Sequence, residues 1–184
     1  MSVAHIDDLD RIELDDGFVW RPIRRRFGIR AFGVNAYTPT AAGSQVVETH
    51  TELQLGQGEL VFVRDPGLRR GAVALDEDTA VLALGGKPGE AYQVSAWEAM
   101  FAAVPYAREE RWDEAIRLHE EALAEQPGHP ALLYNLACME CRGGRYLDAL
   151  LHLREAVEID RKWADYAAKD SDFAAIRSEP GFPA

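Results

Sequence analysis

Residues 112–127 read WDEAIRLHEEALAEQP, and residues 146–161 read YLDALLHLREAVEIDR. The two segments are offset by 34 residues throughout. Trp112 falls on Tyr146, Ala115 on Ala149, Ile116 on Leu150, Ala122 on Ala156 and Leu123 on Val157. In the first copy Ala115, Ile116, Leu118, Ala122 and Leu123 recur close to helical period, which gathers them into one apolar stripe. The alanines let a neighbouring helix approach closely. The aromatic side chain that opens each copy fills the gap between paired helices. Pro127 ends the first helix, and Gly128 helps the chain turn.

Upstream of the second copy, residues 132–145 read LLYNLACMECRGGR. Leu132, Leu133, Leu136, Ala137 and Met139 fit a packed helix, and Gly143 and Gly144 supply a left-handed stop. The result is a helix, a Gly turn and a second helix opened by an aromatic residue. This pattern resembles the tetratricopeptide repeat at Asn135, Leu136, Ala137, Gly144, Tyr146, Ala149 and Ala156, with Pro127 preceding it. The first repeat is less regular. Its leading helix is expected over residues 95–109, with a kink or break at Pro105. Glu110 stands where the family usually has Gly, and Arg161 replaces the closing proline. Residues 162–182, KWADYAAKDSDFAAIRSEPGF, resemble the terminal unit that follows such repeats. Trp163, Tyr166 and Ala167 are expected in a capping helix, and Phe173 and Ile176 over the open end of the stack, because one unit cannot bury its own face. The resemblance spans residues 95–182.

Residues 18–85 read differently. FVW, FGIRAFGVNAY, QVVETHTEL, GELVFV, GAVAL and TAVLAL are short runs rich in Val, Phe, Tyr and Leu, separated by turn residues. Such a series predicts a small antiparallel sandwich or barrel. The order of elements resembles the cupin barrel, with residues 43–52 and 58–70 in the places of its two motifs. A metal-binding cupin carries two histidines and a carboxylate in the first motif and a third histidine in the second. Here His50 stands alone, Glu52 takes the second histidine's place, and Arg69, which cannot ligate a cation, takes the last. The motifs also lie too close together, so the barrel is expected to lack a hairpin. A lost hairpin leaves sheet edges that something must cover. The overall expectation is an α+β chain, with a cupin-like β domain over residues 1–94 and tetratricopeptide-type hairpins with a capping helix over 95–184.

Charge narrows the partners. Residues 1–94 carry 10 basic and 14 acidic side chains, and residues 95–184 carry 10 and 17. Neither half has the basic excess needed to neutralise phosphates, which argues against nucleic acid and against an anionic membrane surface. No apolar run is long enough to span a bilayer, and the start MSVAHIDDLDRIELDD lacks the pattern of a secretory signal. The expected location is the cytoplasm.

By repeat register, the leading helices point Trp97, Met100, Val104 and Arg108, then Tyr134, Cys138, Cys141 and Arg142, toward the concave face. Aromatic, Met and Arg side chains suit the centre of an interface. This face serves either an outside protein or peptide, or internal packing against the barrel or a second subunit. Cys138 and Cys141 share a helix face, but they sit late in their helix, where the dipole opposes a thiolate, and no second CxxC completes a zinc site. Arg24, Arg25 and Arg26 read as a solvated run split across two strand faces. His50, Glu52 and Arg69 form a candidate ligand site in the barrel, and with Glu48 and Arg70 they exhaust the candidates for catalysis. No constellation of acid, base or metal ligands assembles from them, so no cofactor and no metal is expected. The expected function is a non-catalytic protein-interaction module, with the barrel giving a homodimer or sensing a small molecule. The alternative is a cupin-type enzyme or binding protein for a small metabolite.

Overall fold

The computed structural model describes residues 6–14, 17–29, 33–43, 45–47, 72–73, 76, 78–85 and 93–183. The chain divides into two compact units, Met1–Gln93 and Val94–Ala184.

The first unit carries β1 (Ile12–Glu13), β2 (Phe18–Arg21), α1 (Ile23–Phe27), β3 (Gly33–Pro39), β4 (Gln45–Val47), β5 (Ala72–Val73) and β6 (Val81–Gly85). Strands β1, β2, β3 and β6 form one antiparallel sheet in that order, and β4 pairs with β5 in a separate ladder. In register, Trp20 faces Tyr37 and Ala36 faces Leu82. Val19, Trp20, Val34 and Ala36 are buried, and Leu9 and Leu14 join them from the flanking segments. Arg21 is buried as well, with one guanidinium N–H donating to the Ile6 carbonyl at 2.9 Å.

One expectation fails in this unit. The strand read through Phe27 and the run Arg24–Arg26 is a helix instead. Pro22 fixes the turn into α1, and Gly28 ends the helix with a left-handed φ of +62°. The three arginines therefore occupy the last turn of α1, where cations meet the negative end of the helix dipole.

The second unit is helical: α2 (Ala96–Arg108), α3 (Trp112–Glu125), α4 (Pro130–Arg142), α5 (Tyr146–Ile159) and α6 (Lys162–Ala167), then a 3-10 turn at Ser171–Phe173. The Ser95 hydroxyl caps α2 by accepting from the Trp97 N–H at 3.3 Å. Pro130 opens α4, where its missing N–H costs nothing. Pro105 is accommodated in the last turn of α2, and the helix ends at Arg108. The repeat alanines do what their size allows: Ala115, Ala149 and Ala156 are fully buried between helices. Gly143 shows how tight the fit is, because a Cβ there would lie 2.9 Å from Trp112 Cβ. Trp112 thus plugs its gap, whereas Tyr146, its counterpart in the second repeat, remains 47% exposed.

The 34-residue offset also exposes two positions where the repeats differ in cost. Glu110 and Gly144 close the equivalent turns, with φ of +56° and +78°. A side chain in this region costs about 1–2 kcal/mol. His119 and Leu153 are the second pair, both fully buried. The His119 Nδ1–H donates to the Ala115 carbonyl at 2.9 Å, but Nε2 has no hydrogen-bond partner among the described residues. Burial lowers the His119 pKa. Glu140, also buried, is better served: His152 Nδ1 lies 2.8 Å from its carboxylate across the α4–α5 contact, and that carboxylate raises the His152 pKa.

Two outcomes follow. Glu110→Gly should stabilise the protein by roughly 0.5–1 kcal/mol, the relieved strain less the extra freedom of the unfolded Gly. A denaturant midpoint that does not rise would contradict this reading of the turn. His119→Leu should stabilise by about 1 kcal/mol at pH 7, since it removes an unsatisfied buried nitrogen. Its advantage should widen as pH falls below about 6.5, where the unfolded histidine takes up a proton that the folded one resists. Denaturant unfolding of both proteins at pH 7 and pH 5 checks this, and a difference independent of pH would be the contrary result.

Candidate functional site

The residues that repeat register assigns to the concave face of the two leading helices lie in different surroundings. On α2, Trp97 is 59% exposed, with its ring 6.0 Å from that of Phe101. Met100 and Val104 are half-buried, and Arg108 is exposed. On α4, Tyr134, Cys138 and Cys141 are buried. What covers them is the chain's own tail.

The 3-10 turn Ser171–Phe173 lies against α4, capped by Asp170, whose carboxylate accepts from the Asp172 N–H at 3.0 Å. The Tyr134 hydroxyl donates to the other Asp170 oxygen at 2.7 Å, and the Cys138 thiol lies 3.9 Å from that oxygen. The Tyr134 ring packs 4.7 Å from Trp163 of α6 and edge-on to Phe173 at 5.4 Å. Phe173 and Ile176 are fully buried. Arg142 reaches Asp172 at 3.8 Å, and its guanidinium also lies 4.6 Å over the Trp112 ring. The Arg177 guanidinium donates to the Asp170 carbonyl.

The electrostatics disfavour a free thiolate here. Burial pushes the Cys138 thiol well up, and Asp170 and Asp172 push it further. Cys141 is raised by burial and by the same carboxylates. Neither is a reactive thiolate at neutral pH. Burial, then the bond to Asp170, raises the Tyr134 hydroxyl, which therefore remains a donor. Burial and the neighbouring Asp170 raise Asp172 against the pull of Arg142.

The structure thus gathers Tyr134, Cys138, Cys141 and Arg142 around the tail, and it leaves Trp97 and Arg108 facing solvent. Asp170 and Asp172 escaped the sequence reading, which placed Phe173 and Ile176 over the stack but gave no role to the acids just before them. Their signal was the spacing Asp-Ser-Asp-Phe, a side-chain cap followed by an apolar anchor. His50, Glu52 and Arg69, together with Glu48 and Arg70, lie outside the described residues.

The tetratricopeptide repeat profile matches residues 106–169, from the last turn of α2 to just beyond α6. No curated protein and no solved structure matches the chain significantly. Tetratricopeptide repeats generally mediate contacts between proteins. Among the described residues, no helix is long and apolar enough to cross a membrane.

Tyr134→Phe tests the tail anchor. It keeps the ring contacts with Trp163 and Phe173 and removes only the hydroxyl, so it should cost about 1.5 kcal/mol, the range for a hydrogen bond to a charged acceptor. An unchanged denaturant midpoint would show that the tail is held without this bond.

Proposed function

We propose that the helical unit is a non-catalytic module that binds a protein partner through the α2 half of its concave face. The observation that carries this reading is the contrast between the two halves. Tyr134, Cys138 and Cys141 are covered by the tail, while Trp97 keeps 59% of its surface in water beside Phe101. An exposed tryptophan flanked by Met100, Val104 and Arg108 has the composition of an interface centre. The surface is one helix long, so a short helix or extended peptide suits it better than a large globular face.

The first unit is proposed as the cupin-like part, giving dimerisation or small-molecule sensing. Its antiparallel sheet supports this, and one observation favours sensing. A half-open depression of about 260 Å³ is lined by Ile6, Leu9, Ile23, Phe27, Ala36, Ala80, Val81 and Leu82. None of these side chains can donate, accept or transfer a proton. Such a lining suits retention of a small apolar molecule, not its conversion. The enzyme alternative then rests on His50, Glu48, Glu52, Arg69 and Arg70.

A photo-cross-linking residue placed at position 97, with position 147 on the exposed face of α5 as control, tests the α2 surface. The expected outcome is a discrete cross-linked partner from position 97, absent from position 147 and reduced at least tenfold by Arg108→Glu. Equal labelling from both positions would overturn the assignment.

A further inference from the structure

One thiol and two carboxylates converge where the tail meets α4, and a second thiol lies one helical turn away. Cys138 Sγ and one oxygen each from Asp170 and Asp172 all lie within 4.8 Å of one another. Cys138 and Cys141 share a face of α4, since residues three apart on a helix are neighbours. Cys141 is only 3% exposed, and its thiol has no hydrogen-bond partner among the described residues. Asp172 and Asp170 act on it electrostatically, so it lies near this group, although its thiol stands outside the 4.8 Å set. Cys141 is thus a buried sulfur on the same helix face as Cys138, from which it can turn toward these three potential ligands.

We propose that Cys138, Cys141, Asp170 and Asp172 form a four-ligand site for a borderline-soft divalent cation, Zn2+ fitting best. The donor set decides the metal. Thiolate disfavours Mg2+ and Ca2+, carboxylate disfavours Cu+, and a mixed sulfur–oxygen set of four suits tetrahedral zinc. Zinc ligands at about 2.0–2.3 Å from the metal stand roughly 3.5 Å from one another. The spacing of Cys138, Asp170 and Asp172 therefore needs to close by about 1 Å, and Cys141 has to rotate in from outside that set to complete the four. The surroundings suit a metal as well. The Tyr134 hydroxyl already donates to Asp170 at 2.7 Å, and Arg142 lies 3.8 Å from Asp172, so each carboxylate has the outer partner that ligating carboxylates usually have. On binding, each thiol releases its proton to solvent and the thiolate bonds to the metal; nothing is oxidised or reduced. Four protein ligands leave no open position, so the site is structural. It pins the tail across α4 and fixes the closed half of the concave face. The sequence shows one CxxC and no second; the tail supplies the other two ligands.

The test is titration of full-length, reduced, metal-free protein with Co2+. Cys138 and Cys141 are the chain's only cysteines, so a thiolate-to-cobalt charge-transfer band reports this cluster and nothing else. The proposal expects one Co2+ per chain, with that band and tetrahedral visible absorption, displaced by Zn2+. Saturating Zn2+ should raise the melting temperature by roughly 5 °C or more. Cys138→Ser should weaken the band, and Asp172→Asn should reduce affinity at least tenfold. Asp172 is partly exposed, so its amide variant keeps the measurement decisive if Cys138→Ser fails to fold. Cobalt bound without a thiolate band, no saturable binding, or wild-type affinity in Asp172→Asn would each overturn the proposal.

Discussion

The hydrogen bond from Tyr134 to Asp170 marks the contact on which the helical unit depends. A stack of helical hairpins buries a continuous core only where neighbours cover it, and among the described residues no further hairpin follows α5. Here α6 and the turn after it supply the missing layer. Trp163 and Phe173 close on the Tyr134 ring from two sides, and Phe173 and Ile176 become as buried as any residue in the repeats. A polar anchor at the centre of this apolar seal gives it a single register, because the Tyr134 hydroxyl would be unsatisfied in any other.

That seal has a functional consequence. The register that makes α2 and α4 equivalent predicts one continuous concave surface, yet the two helices meet opposite fates. Where α4 has Tyr134, α2 has Met100, and only the former reaches a carboxylate. Trp97 stays exposed on the first repeat, while the tail covers the matching helix of the second. The same asymmetry runs through the irregular positions: Glu110 strains a turn that Gly144 makes freely, and His119 occupies a core site that Leu153 fills without an orphan nitrogen.

Most of the helical unit was legible in the sequence, for a physical reason. Ala115 and Ala149, or Gly144 after α4, are demanded by close packing and by a left-handed turn, so the residue type itself announces the geometry. The capping role of Phe173 and Ile176 was legible too, because apolar residues beyond the last repeat have nowhere else to go. Asp170 and Asp172 just before them were not, since an aspartate is equally at home in water and its partner lies in another helix. Arg24, Arg25 and Arg26 misled for a related reason: a short charged run next to Phe27 has no periodicity, and the deciding signals were Pro22 before it and Gly28 after it. The expected ligand site at His50, Glu52 and Arg69 lies outside the described residues.

Hydrogen exchange of the full-length protein tests the central claim, that the tail is an integral layer of the helical unit. The amides of Phe173 and Ile176, hydrogen-bonded within the tail, should exchange as slowly as those in the middle of α4 and lose protection at the same denaturant concentration. Exchange of the tail amides orders of magnitude faster than α4 would mean that the tail leaves its place while the repeats stay folded, and that the α4 face is open.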